Sequence, residues 1–423
     1  MREILAKVKN KILRMLDEGN VQQPVNSMLS PAYHITETEA IACRMSEFSE
    51  KRLNLLVPAL SIKYAFGGIN TAIDFFLHLI QQDTDVRIII TDEINSDLQA
   101  LADADSWQVV RYDEPDRRGK LITCFGDRSH KTIPVRKQDI FVTTAWWTAY
   151  VAKGILKWQQ RQWKTLPPPM IYLVQDFEPG FYKWSSRYAM ALSTYHDNNL
   201  IVIVNTQLLY DYFYNTGFRF KLAYVFEPSL NKTLALFIPE KNKFLKKRRI
   251  IFYGRPTVER NGLEILIRGL QMWSEQYANS HEWEVISLGE FYNPIPLLNG
   301  NIIHVKGKVS LHEYAELLLT SALGASLMIS PHPSYPPLEM AAFDLGVITN
   351  SFYNKNLSHY HDNIFSLENM VPEEFAELLC QLCSRFETNT DCFRNKCFHN
   401  FNFMNNGNNF GFIPDLRNEL KLK

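Results

Sequence analysis

The chain of 423 residues contains no apolar run near the roughly 18 residues that a bilayer-crossing helix needs, so no membrane span is expected. Net charge is missing too: 45 basic and 45 acidic side chains cancel. The whole-molecule field therefore offers no pull on nucleic acid or an anionic surface, and an anionic ligand has to be met locally. No GxGxxG turn follows a strand-like run and no GxxxxGK[ST] is present, which leaves dinucleotide and P-loop readings without support. Cysteine is scarce. Of the six, Cys380, Cys383, Cys392 and Cys397, with His399 nearby, invite a zinc reading. Yet Cys380 and Cys383 share a helical apolar pattern, Glu374 to Phe386, with Phe375, Leu378, Leu379 and Leu382. Reduced core thiols and no metal are the expectation. Met1 opens a charged helical pattern, not a signal-peptide core, so a cytoplasmic protein is expected.

Apolar material is plentiful, at 46% hydrophobic and 13% aromatic residues, enough for two sizeable cores with rings left over for sugar faces. The first segment, Met1 to Leu16, gathers Ile4, Leu5, Val8, Ile12 and Leu16 on one face with Lys7, Lys9, Lys11 and Arg14 around it. It reads either as a helix packed on its own domain, the expectation here, or as an interfacial helix giving peripheral contact with the inner face of a membrane.

Beyond Pro31, short apolar runs alternate with amphipathic stretches, the signature of parallel βα units. Strands are predicted at Leu53–Val57, Val86–Thr91, Asp139–Thr143, Met170–Val174, Leu200–Val204 and Leu222–Phe226. A polar connector ending in Lys246-Lys247-Arg248-Arg249 separates these from a second series at Ile250–Tyr253, Glu284–Leu288, Ile302–Val305 and Leu327–Ser330, with a helix at Gly262–Tyr277. The expected division is 1–226, 227–395 and a tail 396–423 that could cross back to the first domain. Two doubly wound α/β halves facing each other place ligands in the cleft between the carboxyl ends of their strands.

Three clusters carry chemistry. In Phe252-Tyr253-Gly254-Arg255-Pro256 a strand ends in Gly254-Arg255, aiming a guanidinium fork at the cleft, where it suits a diphosphate. His304-Val305-Lys306-Gly307-Lys308-Val309 ends another strand, with Lys308 as a second cation and a glycine-containing backbone that can lie against a planar base. Ser330-Pro331-His332-Pro333-Ser334-Tyr335-Pro336-Pro337-Leu338-Glu339 is an extended loop entering a helix, whose free N–H groups form an anion site. Each has a plainer alternative: a surface arginine, a solvated basic loop, a carboxylate at a helix start.

In order and spacing these clusters resemble the sugar-nucleotide domain of GT-B glycosyltransferases of the family four, or group 1, class. Val174-Gln175-Asp176-Phe177-Glu178-Pro179-Gly180 and the stretch around Tyr335 and Glu339 are most similar to S-layer rhamnosyltransferases. The resemblance covers most of Leu53 to about Leu382. It implies a GT-B fold and transfer of rhamnose from dTDP-β-L-rhamnose to a rhamnose-containing glycan, free or lipid-linked, with retention and without metal or other cofactor. Arg255 and Lys308 would bind the diphosphate and Glu339 the ribose hydroxyls. Ser334 and Tyr335 would hold phosphate or sugar, and Val305 to Val309 would receive the base. One position departs: where the class carries a glutamate eight residues before Glu339, this chain has Pro331. A sugar-nucleotide epimerase of the same architecture and a catalytically silent glycan-binding protein are the alternatives.

In the first domain, Ala65-Phe66-Gly67-Gly68-Ile69 follows a strand and opens a helix, matching a glycine loop that approaches donor phosphates or acceptor; an ordinary tight turn is the plain reading. Asp176 and Glu178 end a strand at the cleft, with Tyr182 and Trp184 beyond, and are assigned to the acceptor, since carboxylates and rings hold sugar diols and faces. Asp83-Thr84-Asp85 and Asp103-Ala104-Asp105 spell a metal-binding triplet of another transferase fold but lack its context, and no role is expected for them.

Overall fold

The structure, a computed structural model, describes residues 35–60, 68–93, 107–399, 403–404 and 410–422. Met1–Leu16, Ala65–Gly67 and Asp103-Ala104-Asp105 lie outside the described residues. The chain divides into two units, 1–39 and 40–423. The described part of the first holds a 3-10 turn at Thr36–Thr38, and the second holds both sheets.

The first ten strands are β1 (Ala42–Met45), β2 (Arg52–Val57), β3 (Asp85–Ile90), β4 (Gln108–Val109), β5 (Lys120–Cys124), β6 (Thr132–Val135), β7 (Asp139–Thr143), β8 (Met170–Val174), β9 (Leu200–Asn205) and β10 (Leu222–Phe226). β1 and β6 pair by themselves, and the other eight form one sheet in the order β10-β9-β8-β7-β2-β3-β5-β4 with every neighbouring pair parallel. A parallel sheet is covered on both faces, which is why its strands read as unbroken apolar runs. In β2, Leu53, Leu55 and Val57 enter one core and Leu56 the opposite one.

The second sheet comprises β11 (Lys247–Gly254), β12 (Glu284–Gly289), β13 (Ile295–Pro296), β14 (Ile302–Gly307), β15 (Ser321–Ala325), β16 (Gly346–Asn350) and β17 (Ile364–Leu367). Its order is β13-β14-β12-β11-β15-β16-β17, parallel except for the β13–β14 pair. The chain winds outward from β11 in both directions, so the order reverses between β11 and β15. That reversal opens a crevice at their carboxyl ends, where open α/β sheets hold ligands.

One predicted strand is corrected. Leu327–Ser330 is loop, and the strand of that βα unit is Ser321–Ala325. The run Ser-Ala-Leu-Gly-Ala follows a helix directly, and its glycine packs closely under the later helix at Met340: a Cβ on Gly324 would lie 2.6 Å from the Met340 sulfur. Small residues after a helix mimic its continuation, and the apolar Leu327-Met328-Ile329 run drew the strand assignment downstream.

Among the described residues the helices are α1 (Gly68–Leu79), α2 (Trp146–Trp163), α3 (Ser186–Ser193), α4 (Gln207–Asn215), α5 (Lys232–Ala235), α6 (Leu263–Gln276), α7 (Leu311–Thr320), α8 (Pro336–Ala342), α9 (Pro372–Thr388) and α10 (Ile413–Glu419). α6 and α9 cover the face of the second sheet where Cys383 is fully buried among Leu379, Leu382 and Phe386. The closing helix α10 packs on the first sheet, with Phe410, Ile413, Leu416 and Leu420 in its core. Arg417 there donates to the carbonyls of His78 at 2.7 Å and Ile80 at 3.0 Å, satisfying the open end of α1.

Candidate active site

The carboxyl edge of the second sheet presents the first cluster. β11 ends at Gly254, where a side chain would run into the hydroxyls of Ser287 and Tyr292, so the backbone can pack closely there. Arg255 follows, half-buried, with its Nε 3.0 Å from Glu290 Oε1. Partial burial works against the Glu290 charge, but hydrogen bonds from Thr257 and the Arg255 charge hold its carboxyl below the usual range. Two strands away, β14 ends at Gly307 with φ of 65°, a conformation that favours glycine. Lys308, next in the chain, is exposed. Because β12 lies between β11 and β14, the strand ends carrying Arg255 and Lys308 are about 10 Å apart, two strand spacings. Val305 and Val309 are partly buried, each packed against a core of this domain.

On the other side of β11, the loop after β15 carries Ser330 to Tyr335 and enters α8. Ser334 is buried and left-handed, with φ of 68°, a strained conformation for a residue with a Cβ. Its N–H donates to His332 Nδ1 at 3.0 Å. This use of the N–H changes the anion site expected from the sequence. α8 has seven residues, with Pro336 and Pro337 in its first turn, and prolines carry no N–H. The Glu339 N–H is taken by the Tyr335 carbonyl at 2.9 Å. Few free donors remain at that helix end, so positive charge for a diphosphate falls to Arg255 and Lys308. Glu339 is partly buried, and burial pushes it up to about 7 against the pull of a hydrogen bond with Tyr314.

The first lobe faces this loop with the ends of β8 and β9. Asp176 is buried: its Oδ1 accepts from Ser330 Oγ across the cleft and from Phe177 N–H at 2.8 Å, and Oδ2 lies 3.7 Å from Arg260. Arg260 stacks 3.9 Å from the Phe181 ring centre. Asn205 at the end of β9 donates to the Tyr335 hydroxyl at 3.2 Å. Glu178 turns inward: the Tyr172 hydroxyl donates to it, and burial, with Asp176 adding, pushes it up to about 8 although Tyr172 and the Trp146 N–H oppose the shift. Tyr182 is partly buried and accepts from Trp146 Nε1 at 2.9 Å. Trp184 is 94% exposed, beside Lys183, which reaches Glu259 of the second lobe at 3.3 Å. Gly68 opens α1, its carbonyl held by Gln175 Nε2 at 2.8 Å, while Gly67 lies outside the described residues.

The crevice thus brings together Asp176, Tyr335 and the loop from Ser330, with Arg255 and Lys308 at strand ends two apart on the carboxyl edge of the second sheet. Glu178 and Tyr182 stand behind this front. Asp85 of the Asp83-Thr84-Asp85 triplet binds the Gly119 N–H at 2.7 Å and Arg136 at 2.6 Å, at the opposite edge of the sheet. Four residues escaped the sequence reading. Arg260 sits in the run after Arg255, and His332 within the Ser-Pro-His-Pro loop, so both had a signal. Glu290 follows a strand as Arg255 does. Lys355 had none: it reads as a polar-loop lysine, yet it is fully buried, donates to the Met328 carbonyl at 2.6 Å and is pushed down to about 7 by burial against the pull of Asp176.

Two doubly wound domains with their strand ends facing across a crevice define the GT-B fold. The sucrose-phosphate synthase of Thermosynechococcus elongatus overlays on the chain with a TM-score of 0.51 at 12% identity, over 82% of this chain and 92% of that one, a likeness of fold. Residues 52–207 match the family model described as WsaF, N-terminal domain, and residues 248–380 the one described as WsaF, C-terminal domain. With both domains in order over well more than half its length, the chain belongs to the WsaF family. The O-antigen biosynthesis protein RfbC of Myxococcus xanthus is 30% identical over 216 residues, 50% of this chain but 15% of that protein. The chain spans only that small part of its curated relative.

Proposed function

We propose that this protein is a glycosyltransferase that moves a rhamnosyl group from dTDP-β-L-rhamnose onto a growing rhamnose-containing glycan, with retention and without a metal, on the cytoplasmic side of glycan assembly. The observation that carries the reading is a pair of cations, Arg255 and Lys308, at the ends of β11 and β14 on one side of the switch point between β11 and β15, opposite a first-lobe front built on Asp176. The membership of the WsaF family and the O-antigen role in the name of its Myxococcus relative support the sugar-polymer context. Residues 227–395 take the donor and 1–226 the acceptor. The base lies along Val305 to Val309, the ribose at Glu339, and the diphosphate between Gly254-Arg255 and Lys308, with Ser334 and Tyr335 beside phosphate or sugar. Gly67, Gly68, Asp176, Glu178, Tyr182 and the exposed Trp184 ring form or support the acceptor side.

In the transfer, the bond from the sugar anomeric carbon to the diphosphate oxygen breaks and a bond to the acceptor hydroxyl oxygen forms on the same face. The acceptor proton goes to the departing phosphate oxygen. Arg255 and Lys308 stabilise the negative charge that grows on that diphosphate. The test is turnover of dTDP-L-rhamnose with a short rhamnose oligosaccharide, run with and without EDTA. Product should form at the same rate in both. Strict dependence on magnesium or manganese would contradict the metal-free reading, and failure to bind or turn over any nucleotide sugar would contradict the whole of it.

A further inference from the structure

His332 is 6% exposed and lies in the loop that meets the first lobe, within electrostatic reach of Asp176, Lys355 and Arg260. Its Nδ1 accepts a hydrogen bond from the Ser334 N–H at 3.0 Å. A ring nitrogen that accepts carries no proton, so in the neutral imidazole the proton sits on Nε2. Burial pushes the ring down to about 4, Lys355 and Arg260 assisting and Asp176 opposing, and so the neutral form prevails near neutral pH. Nε2–H is then a donor, and among the described residues it has no acceptor. Buried donors in native proteins are nearly always matched, because an unmatched one costs stability. Here the unmatched donor sits at the junction of the lobes, held in a strained loop by its own second nitrogen.

Resting on the proposed transfer, we infer that His332 Nε2 donates a hydrogen bond to an oxygen of the transferred sugar, which makes His332 a determinant of donor-sugar recognition. The chemistry of transfer requires the sugar to lie between the diphosphate held by one lobe and the acceptor held by the other, and His332 occupies that junction. A neutral N–H suits an uncharged hydroxyl or ring oxygen. The phosphates have the two cations at the ends of β11 and β14.

The two ring nitrogens can be tested apart. In His332→Asn the amide oxygen can accept from the Ser334 N–H as Nδ1 does, while the distal donor is lost. In His332→Gln the amide N–H reaches the Nε2 position, while the loop bond is given up. Calorimetric titration with dTDP and with dTDP-L-rhamnose, on variants whose melting temperatures have been measured, reads the sugar contribution as the ratio of the two affinities. The asparagine variant should shift that ratio against the nucleotide sugar by about 10-fold while dTDP binding stays within about two-fold of the wild type, and the glutamine variant should keep the ratio. An asparagine variant with an unchanged ratio, or a glutamine variant that alone is impaired, would overturn the inference and leave His332 as a loop fastener. A wild type that binds neither ligand would instead remove the donor reading, and the inference with it.

Discussion

Two buried polar clusters occupy opposite edges of the first sheet, and they are built to different rules. At the amino edge, Arg52, Arg87 and Arg136 meet Asp85, Asp116 and Asp139. Arg52 grips both Asp139 oxygens at 2.9 and 2.8 Å and Asp116 at 2.6 Å, and Arg136 reaches Asp116 at 3.1 Å and Asp85 at 2.6 Å. Charges balance, and burial's cost to Asp116 is overcome by Arg52 and its neighbours, so its carboxyl is held down at about 2. At the carboxyl edge, buried Asp176, Glu178, His332 and Lys355 gather with the partly buried Arg260 without such matching. Arg260 Nε and His332 Nε2 lack partners, Glu178 is pushed up to about 8 and Lys355 down to about 7. The amino edge is not wholly matched either, since among the described residues Arg87 Nη2 lacks a hydrogen-bond partner, lying 3.6 Å from Asp139, and its guanidinium is pushed down to about 9 by burial. The difference is that the charges of the amino edge balance among themselves, whereas the carboxyl edge leaves donors unmet at a crevice that could receive a ligand.

The sharpest way to break the contrast is at Asp139. Asp139→Ala leaves Arg52 and Arg87 buried with too little negative charge, and removing one partner of such a network costs roughly 3 to 5 kcal/mol. Chemical denaturation should show that loss. The same pairs make stability depend on acid: since the folded Asp116 titrates below its unfolded value, their contribution is present above about pH 4 and is lost as pH falls toward 2. Arg255→Ala and Lys308→Ala should do the opposite. Lys308 is exposed and Arg255 half-buried beside Glu290, neither in a core, so melting temperature should hold within about 2 °C. Turnover should fall by roughly 30- to 1000-fold, the value of about 2 to 4 kcal/mol of lost charge stabilisation. A Lys308→Ala enzyme with intact turnover would take Lys308 out of the site.

What could be read beforehand follows the same division. Strands buried on both faces announce themselves as apolar runs, so β2, β7, β8 and β9 were legible, and residues within two positions of a strand end, such as Arg255, Lys308 and Asp176, were placed by that periodicity. Burial of polar side chains was not legible. Glu178 reads like Asp176 from two positions away, yet one turns to the opposite lobe and the other inward onto Tyr172. Lys355 is buried where the loop after β16 meets the Met328 carbonyl of the loop after β15 and comes within electrostatic reach of Asp176 of the first lobe, a relation between residues far apart in the chain. The prolines of α8 were visible, but their consequence, a helix end short of N–H donors, required knowing that Ser334 N–H is already taken by His332.

Glu178 sharpens the contrast at the smallest scale. Its carboxyl is pushed up to about 8 chiefly by burial, so the folded state holds a proton that the unfolded chain releases near pH 4.5. Between those values the unfolded state binds fewer protons than the native one, and stability therefore falls as pH rises from about 4.5 to 8, the reverse of the Asp116 case. Glu178→Gln removes that titration while keeping an oxygen that can accept from Tyr172. Relative to the wild type, the glutamine variant should gain on the order of 1 to 2 kcal/mol more at pH 8 than at pH 5.5. Denaturant titrations at the two pH values measure this difference directly. Equal differences at both would mean that Glu178 stays ionised against Tyr172, and the carboxyl edge would then be matched as closely as the amino edge.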